Sequence, residues 1–326
     1  MSQLYPLTFL PLFKERVWGG RRLEQLYGKA LPAGVPIGES WEITDRPEGV
    51  SVITNGPLAG RDLRWLMEHH AQELLGDSQP CAGRFPLLVK ILDAQEKLSL
   101  QVHPPAHRAA GLCGEPKTEM WYVADATADA DLFVGLRRGA TRTEFEQRIQ
   151  DGSVAECFHR LPVRRGDAMF LPSGRVHALG AGNVIFEIQQ NSDTTYRVFD
   201  WNRVGLDGKP RELHIPQALA SIDFEDFEPA LAPAKWEQAG TVKSRGLASC
   251  SLFTVDLMRL SPPDELWLAG NQVLVLALTE GELVVRFGNL EVTLKPGDFC
   301  VVPAACVNRT SMRSTGAATF LHAVAK

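Results

Sequence analysis

Gln101-Val102-His103 and the run Gly166-Asp167-Ala168-Met169-Phe170-Leu171-Pro172-Ser173-Gly174-Arg175-Val176-His177 contain residue types that coordinate a divalent cation, and Glu119 lies between them. Positions i and i+2 of a strand face the same way. Gln101 and His103 can therefore point together into a β-barrel while Glu119 and His177 reach the same ion from neighbouring strands. Two neutral imidazoles, an amide oxygen and a carboxylate leave such an ion with net positive charge, which makes it a Lewis acid. The set contains no thiolate and is hard to borderline, so it suits Zn2+ and also admits Mn2+ or Fe2+. His69, His70, His107, His159, His214 and His322 have no comparable company and read as ordinary polar side chains.

The elements that must position these residues are mostly strands. Apolar segments are short and punctuated by Gly and Pro, as in Phe85 to Leu92, Ala168 to Leu171, Val184 to Ile188 and Leu283 to Phe287, a pattern that predicts a mainly β fold. Three short helices are expected. Arg61 to Leu75 places Leu63, Leu66, Met67, Ala71, Leu74 and Leu75 at helical spacing, Thr143-Glu144-Phe145-Glu146 resembles a capping box, and a third helix is predicted over about Pro216 to Ile222. Phe224 to Lys235 is acidic, rich in Pro and Ala and without periodicity, as in a linker. A boundary there divides the 326 residues, 44% of them hydrophobic, into a catalytic, metal-binding domain at 1–230 with helical segments and a second domain at 231–326. Lys295-Pro296-Gly297-Asp298 to Pro303 repeats the Gly-Asp, four residues, Pro arrangement of Gly166-Asp167 to Pro172, so the chain reads as two copies of one barrel. The fifth residue after the proline is His177 in the first copy and Asn308 in the second, which has lost its metal site.

A net charge of −5 without a basic cluster leaves no electrostatic footprint for nucleic acid, and any anionic partner is small. No span is long enough to cross a membrane, and Lys14, Glu15 and Arg16 interrupt the N-terminal apolar residues, so no signal peptide is expected. The six cysteines form no CxxC pair, which predicts reduced, buried thiols and a cytoplasmic protein.

Gly166-x5-Pro172-x-Gly174-x2-His177 resembles the second cupin motif, with the asparagine that often follows it displaced to Asn183. Together with Gln101-Val-His103-Pro104, Lys117-Thr-Glu119-Met-Trp-Tyr122 and Gln190-Asn-Ser-Asp193-Thr-Thr-Tyr-Arg197-Val-Phe-Asp-Trp201, it makes the chain similar to the type I mannose-6-phosphate isomerases of short bacterial form. The similarity runs from Tyr5 through Ala220 and includes Val17-Trp18-Gly19-Gly20 and Gly38-Glu39-Ser40-Trp41-Glu42. It implies two cupin-type, jelly-roll β-barrels, the C-terminal one degenerate and non-catalytic. It also implies one Zn2+ per chain and interconversion of mannose 6-phosphate with fructose 6-phosphate.

Such an isomerisation passes through an enediol, so the catalyst must stabilise charge on O1 or O2 and move a proton between C1 and C2. Read as mostly extended, Val184 to Arg197 puts Glu187, Gln189, Asn191, Asp193, Thr195 and Arg197 on one face and Phe186 and Ile188 on the other. Glu187 and Asp193 are both candidates for the proton transfer. Arg197 matches the family's active-site arginine and suits either the phosphate or the enediolate, unless an ion pair with Asp200 occupies it. Lys117, two residues before Glu119, would face the same cavity. The chain reads as lacking a long helical insertion between the cupins, so loops and the Arg61 to Leu75 helix are expected to close the pocket. Two other classes compete with the isomerase: a non-haem oxygenase built on His103, Glu119 and His177, against which Gln101 and Arg197 argue, and a sugar-phosphate sensor that binds without chemistry.

Overall fold

In the computed structural model, which describes residues 4–240, 242–263 and 265–326, the chain is mainly β with a few short helices. The N-terminal part holds a two-stranded sheet, Asp45–Arg46 with Gly49–Val50, and two large ones. One has six strands in the order Leu12–Gly20, Ile37–Ile43, Leu87–Ala94, Asn183–Gln190, Glu119–Ala126, Ala168–Leu171; the other has five in the order Tyr196–Phe199, Leu100–Val102, His177–Leu179, Asp131–Leu136, Phe158–Pro162. Neighbours in both run antiparallel, in the crossed order of a jelly roll. A second pair of sheets, six and four strands, is built from residues 237–325.

The six-stranded sheet of the N-terminal part is covered on both faces, which is why its strands read as nearly unbroken apolar runs. On Leu87–Ala94 every residue is buried. Leu87, Val89 and Ile91 join Phe186, Met120, Phe299 and Val275 in a core that continues into the C-terminal sheets. Leu92 packs from the other face with Trp18, Trp121 and Leu171. The two parts also interlock through the backbone: Leu7 and Val301 exchange N–H···O bonds of 2.8 Å, and Gln79 N donates to Lys326 O at 3.0 Å.

The repeat noted in the sequence has a common turn. Gly166 and Gly297 adopt φ of 91° and 87°, and the following aspartates, Asp167 and Asp298, accept from the backbone N of Arg164 and Lys295 at 2.9 and 2.8 Å. Each turn launches a strand, Ala168–Leu171 or Phe299–Val302.

Three local readings shift. The Arg61 to Leu75 segment forms two helices, Leu63–His69 and Ala71–Leu75, because His70 leaves helical geometry (φ −139°). The helix Arg142–Asp151 is capped by Thr141, whose hydroxyl accepts from Glu144 N at 3.1 Å; Thr141 has the extended backbone of a cap (φ −104°, ψ 158°), whereas Thr143 lies inside the first turn. The segment read as a linker is bound along the N-terminal part rather than free. Asp226 takes a two-pronged bond from Arg175 (2.7 Å each), Leu136 N donates to Asp226 O, and Ala232 N donates to Ala168 O. The predicted third helix spans Ile215–Ser221. Among the described residues no helix is long and apolar enough to cross a membrane. Of the six thiols, Cys157, Cys300 and Cys306 are buried and Cys113 is exposed.

Candidate metal centre and active-site cavity

Cross-strand register aligns three residues singled out by the sequence. Arg197 pairs with Gln101, and Gln101 with His177, so the three stand in one row across adjacent strands of the five-stranded sheet. His103 follows on the same face, just past the end of Leu100–Val102, and Glu119 opens its strand in the opposite sheet. Ligand atoms of His103, Glu119 and His177, all buried, lie within 4.8 Å of one another. His103 Nε2 is 3.4 Å from Glu119 Oε2, His177 Nε2 is 3.4 Å from Glu119 Oε1, and the Gln101 amide nitrogen is 3.3 Å from His177 Nε2. A half-turn of that amide presents its oxygen to the same space.

The protonation states suit a cation. His177 Nδ1 meets Arg175 O at 2.9 Å, which as a donated N–H bond leaves the Nε2 lone pair facing the cluster. Burial holds the His103 imidazole down at about 3, with the Lys117 ammonium adding to the effect, and burial likewise lowers His177. Burial opposes the Glu119 charge, but Lys117 and the two histidines outweigh it and keep the carboxyl well below its usual range. Both ring nitrogens of His103 are buried without a hydrogen-bond partner, and Glu119 accepts no hydrogen bond, although the Lys117 ammonium stands 3.1 Å from its Oε2. Buried polar atoms are normally paired, so an orphaned imidazole facing a buried carboxylate fits a divalent ion bound by oxygen and imidazole nitrogen.

The cluster adjoins a cavity of about 500 Å3 whose wall includes Gln101, Lys117, Glu187, Asp193 and Arg197. Lys117 is buried, its Nζ 3.1 Å from Glu119 Oε2. Glu187 is buried too; its Oε2 accepts from Trp121 Nε1 at 2.8 Å, and burial followed by the nearby Glu119 pushes its carboxyl up. The single polar face expected over residues 184–197 is interrupted. The strand ends at Gln190, the chain crosses to the other sheet, and the side chains of Gln189 and Asn191 turn to backbone carbonyls of Ser192 and Phe85 instead of the cavity. Glu187, Asp193, Thr195 and Arg197 still reach it. Arg197 makes no ion pair with Asp200, which is occupied by Arg203 and Arg211, and the Arg197 Nε is buried without a partner. The displaced asparagine, Asn183, holds the backbone carbonyls of Asp131 and Gly180.

Sequence reasoning missed Lys90. Its ammonium stands 3.4 Å from Asp193 and 3.6 Å from both Glu39 and Glu187, inside the cavity wall. Burial works against its charge, yet the three carboxylates outweigh it and hold the group above its ordinary value. The available signal was a lone lysine within Phe85-Pro-Leu-Leu-Val-Lys-Ile-Leu92, a run otherwise apolar. Glu39, in the Gly-Glu-Ser-Trp-Glu motif, pairs with Arg16 at 2.7 Å. The expected closure by the Arg61 to Leu75 segment is not found either, since Leu63, Leu66, Leu74 and Leu75 pack into the core. Gly205, Leu206, Asp207 and Arg211 border the cavity instead.

Comparison with known proteins agrees with this arrangement. The family model described as phosphomannose isomerase type I, catalytic domain, matches residues 7–146. The mannose-6-phosphate isomerase ManA of Bacillus subtilis is 37% identical over 302 residues, covering 91% of this chain and 93% of its own. The crystal structure of the mannose 6-phosphate isomerase from Bacillus subtilis superposes with a TM-score of 0.88 at 31% identity, covering 98% of this chain and 99% of that one. A zinc-bound mannose 6-phosphate isomerase, at 19% identity and a TM-score of 0.79 over 99% of this chain and 100% of that one, shares the fold. With similarity over nearly its whole length to a relative of this kind, the chain belongs to the type I phosphomannose isomerase family.

Proposed function

We propose that the chain interconverts mannose 6-phosphate and fructose 6-phosphate through an enediol, with one zinc ion held by His103, Glu119, His177 and the Gln101 amide. The observation that carries this reading is the buried cluster of His103, Glu119 and His177 ligand atoms, with both His103 ring nitrogens unpartnered, beside a cavity lined by Lys117, Glu187, Asp193 and Arg197. The substrate comes from the relatives, which are named for that activity. When bound, zinc supplies Lewis-acid polarisation of the sugar oxygens O1 and O2.

The remaining work falls to side chains. A proton must leave C2 of the aldose and arrive at C1 of the ketose. Glu187 is our assignment: it is buried, Trp121 fixes one oxygen, and its raised pKa brings it toward the range in which a carboxyl both accepts and returns a proton. Asp193 is the second candidate, because it also borders the cavity and is the carboxylate nearest Lys90, at 3.4 Å. Lys117 and Arg197 contribute fixed positive charge toward substrate oxygens. The part of the chain from residue 231 onward we assign to a non-catalytic cupin domain, supported by Asn308 at the position equivalent to His177.

A coupled assay for fructose 6-phosphate, run on the enzyme as purified, after chelation and after zinc is restored, tests the activity and the metal together. Zinc-restored turnover is expected; binding of sugar phosphate without solvent-deuterium exchange into it would favour the sensor. Glu187→Gln should abolish that exchange while Asp193→Asn retains it, and the opposite result would move the proton transfer to Asp193.

A further inference from the structure

The charges around the cavity are divided between its walls. On the side of the six-stranded sheet the cations are neutralised: Arg16 by Glu39, Lys117 by Glu119, and Lys90 by Glu39, Glu187 and Asp193. The opposite end is formed by the strand Tyr196–Phe199, at the edge of the five-stranded sheet, and by the hairpin that follows it. That hairpin is closed by a bridge between Val204 and Pro210 and by Gly205 N donating to Lys209 O at 2.7 Å. Here Asp200 is shared by Arg203 and Arg211, Arg203 also lies 3.9 Å from Glu96, and Arg197 and Arg211 both border the cavity, Arg197 without an ion pair to Asp200.

Asp200 organises this end. It is buried, and its two oxygens take Arg211 Nε and Nη2 at 2.7 Å each and Arg203 Nε and Nη2 at 3.0 and 2.8 Å. Arg203 is turned away by a further bond from Nη1 to Lys97 O at 2.6 Å. Arg211 instead borders the cavity, as does Arg197, whose buried Nε has no partner. Two guanidiniums brought to one wall repel each other, and a dianion between them relieves that repulsion while accepting paired N–H bonds.

We propose that Arg211, held by Asp200, is a specificity-determining residue that takes the phosphoryl end of the substrate together with Arg197. This deepens the reading of the cavity as a sugar-phosphate site and rests on it. The spacing agrees: neighbouring strands lie about 4.8 Å apart, so Arg197 stands roughly 10 Å from His177 across Gln101. A hexose 6-phosphate carries its phosphoryl group at the opposite end of the carbon chain from the C1–C2 pair that reacts. Asp200 is a positioning residue: it touches no substrate atom and acts through Arg211.

The test uses zinc-loaded wild type, Arg211→Ala, Arg211→Lys and Asp200→Asn, with inorganic phosphate as the probe of the anion site. Arg211→Ala is expected to raise KM for mannose 6-phosphate and the inhibition constant of inorganic phosphate together, by about 10-fold to 100-fold, the loss of one charge-assisted pair. kcat should change less, and zinc content should hold. Arg211→Lys and Asp200→Asn should shift the same two constants by smaller factors. A folded, zinc-loaded Arg211→Ala enzyme with both constants unchanged overturns the proposal, as does a variant whose loss tracks loss of zinc. If wild type binds inorganic phosphate through Arg211 but does not turn over mannose 6-phosphate, the isomerase reading falls and the anion site stands.

Discussion

Glu39→Gln removes one charge from the centre of the cavity's ion-pair network and leaves its shape intact. Glu39 Oε1 accepts from Arg16 Nε at 2.7 Å, Oε2 accepts from Trp41 Nε1 at 2.7 Å, and Lys90 Nζ lies 3.6 Å away. Burial alone would raise this carboxyl, but Lys90 and Arg16 hold it down from 4.5 to about 2. A depression of roughly 2.5 units corresponds to about 3 kcal/mol of folding stability. That agrees with the 3–5 kcal/mol expected when one partner of a buried pair is removed. Because the folded-state pKa lies below the unfolded one, this stabilisation is fully present above 4.5 and is lost as pH falls through about 2. The assay is urea unfolding of wild type and Glu39→Gln side by side at pH 7 and near pH 3.5. Both proteins carry the same metal centre, so their difference isolates Glu39. The gap should be about 3 kcal/mol at pH 7 and narrow to about 2 kcal/mol near pH 3.5. A gap below about 1 kcal/mol at pH 7, the scale of a surface pair, would refute the claim that Glu39 is held charged in a buried network. A gap that stays constant as the pH falls would refute the linkage.

His103→Ala and His177→Ala should lose zinc and turnover together, whereas Arg197→Ala keeps its zinc and loses turnover; elemental analysis beside the coupled assay decides, and an active, metal-free His177→Ala enzyme would rule out the zinc mechanism. Asn308→Ala removes only a reciprocal pair of bonds to Gly270, 3.0 and 2.9 Å, at an exposed site. It should leave kcat/KM unchanged and cost about 1 kcal/mol or less in denaturant unfolding; lost turnover in a folded protein would give the part of the chain beyond residue 230 a role in catalysis.

The candidate metal cluster was legible because coordination demands particular residue types at strand spacing, and His103, Glu119 and His177, which the fold brings together, carry that demand in short motifs. The duplicated Gly-Asp turn was legible for a similar reason: a positive φ at Gly166 and Gly297 and a backbone N–H bond accepted by the side chain of the next aspartate are local requirements, written into adjacent residues. What escaped was set by contacts distant in sequence. Lys90 acquires its meaning from Glu39, Glu187 and Asp193, which arrive from two other strands and a loop, and nothing within its own segment announces them. The polar face over residues 184–197 failed for a related reason. Period-2 alternation describes a strand in one sheet, while this segment leaves one sheet at Gln190 and enters the other at Tyr196, so the crossing resets which residues face inward. Thr141 and Thr143 show the same limit at short range: both precede a glutamate, and only the backbone conformation decides which one caps. The segment 203–211 had no motif at all, yet it borders the cavity whose closure was expected from loops and the Arg61 to Leu75 helix. Its position follows from Asp200, whose two arginine partners lie three and eleven residues downstream. A buried carboxylate that must be neutralised thus fixes both the path of the hairpin and the guanidinium it presents to the cavity.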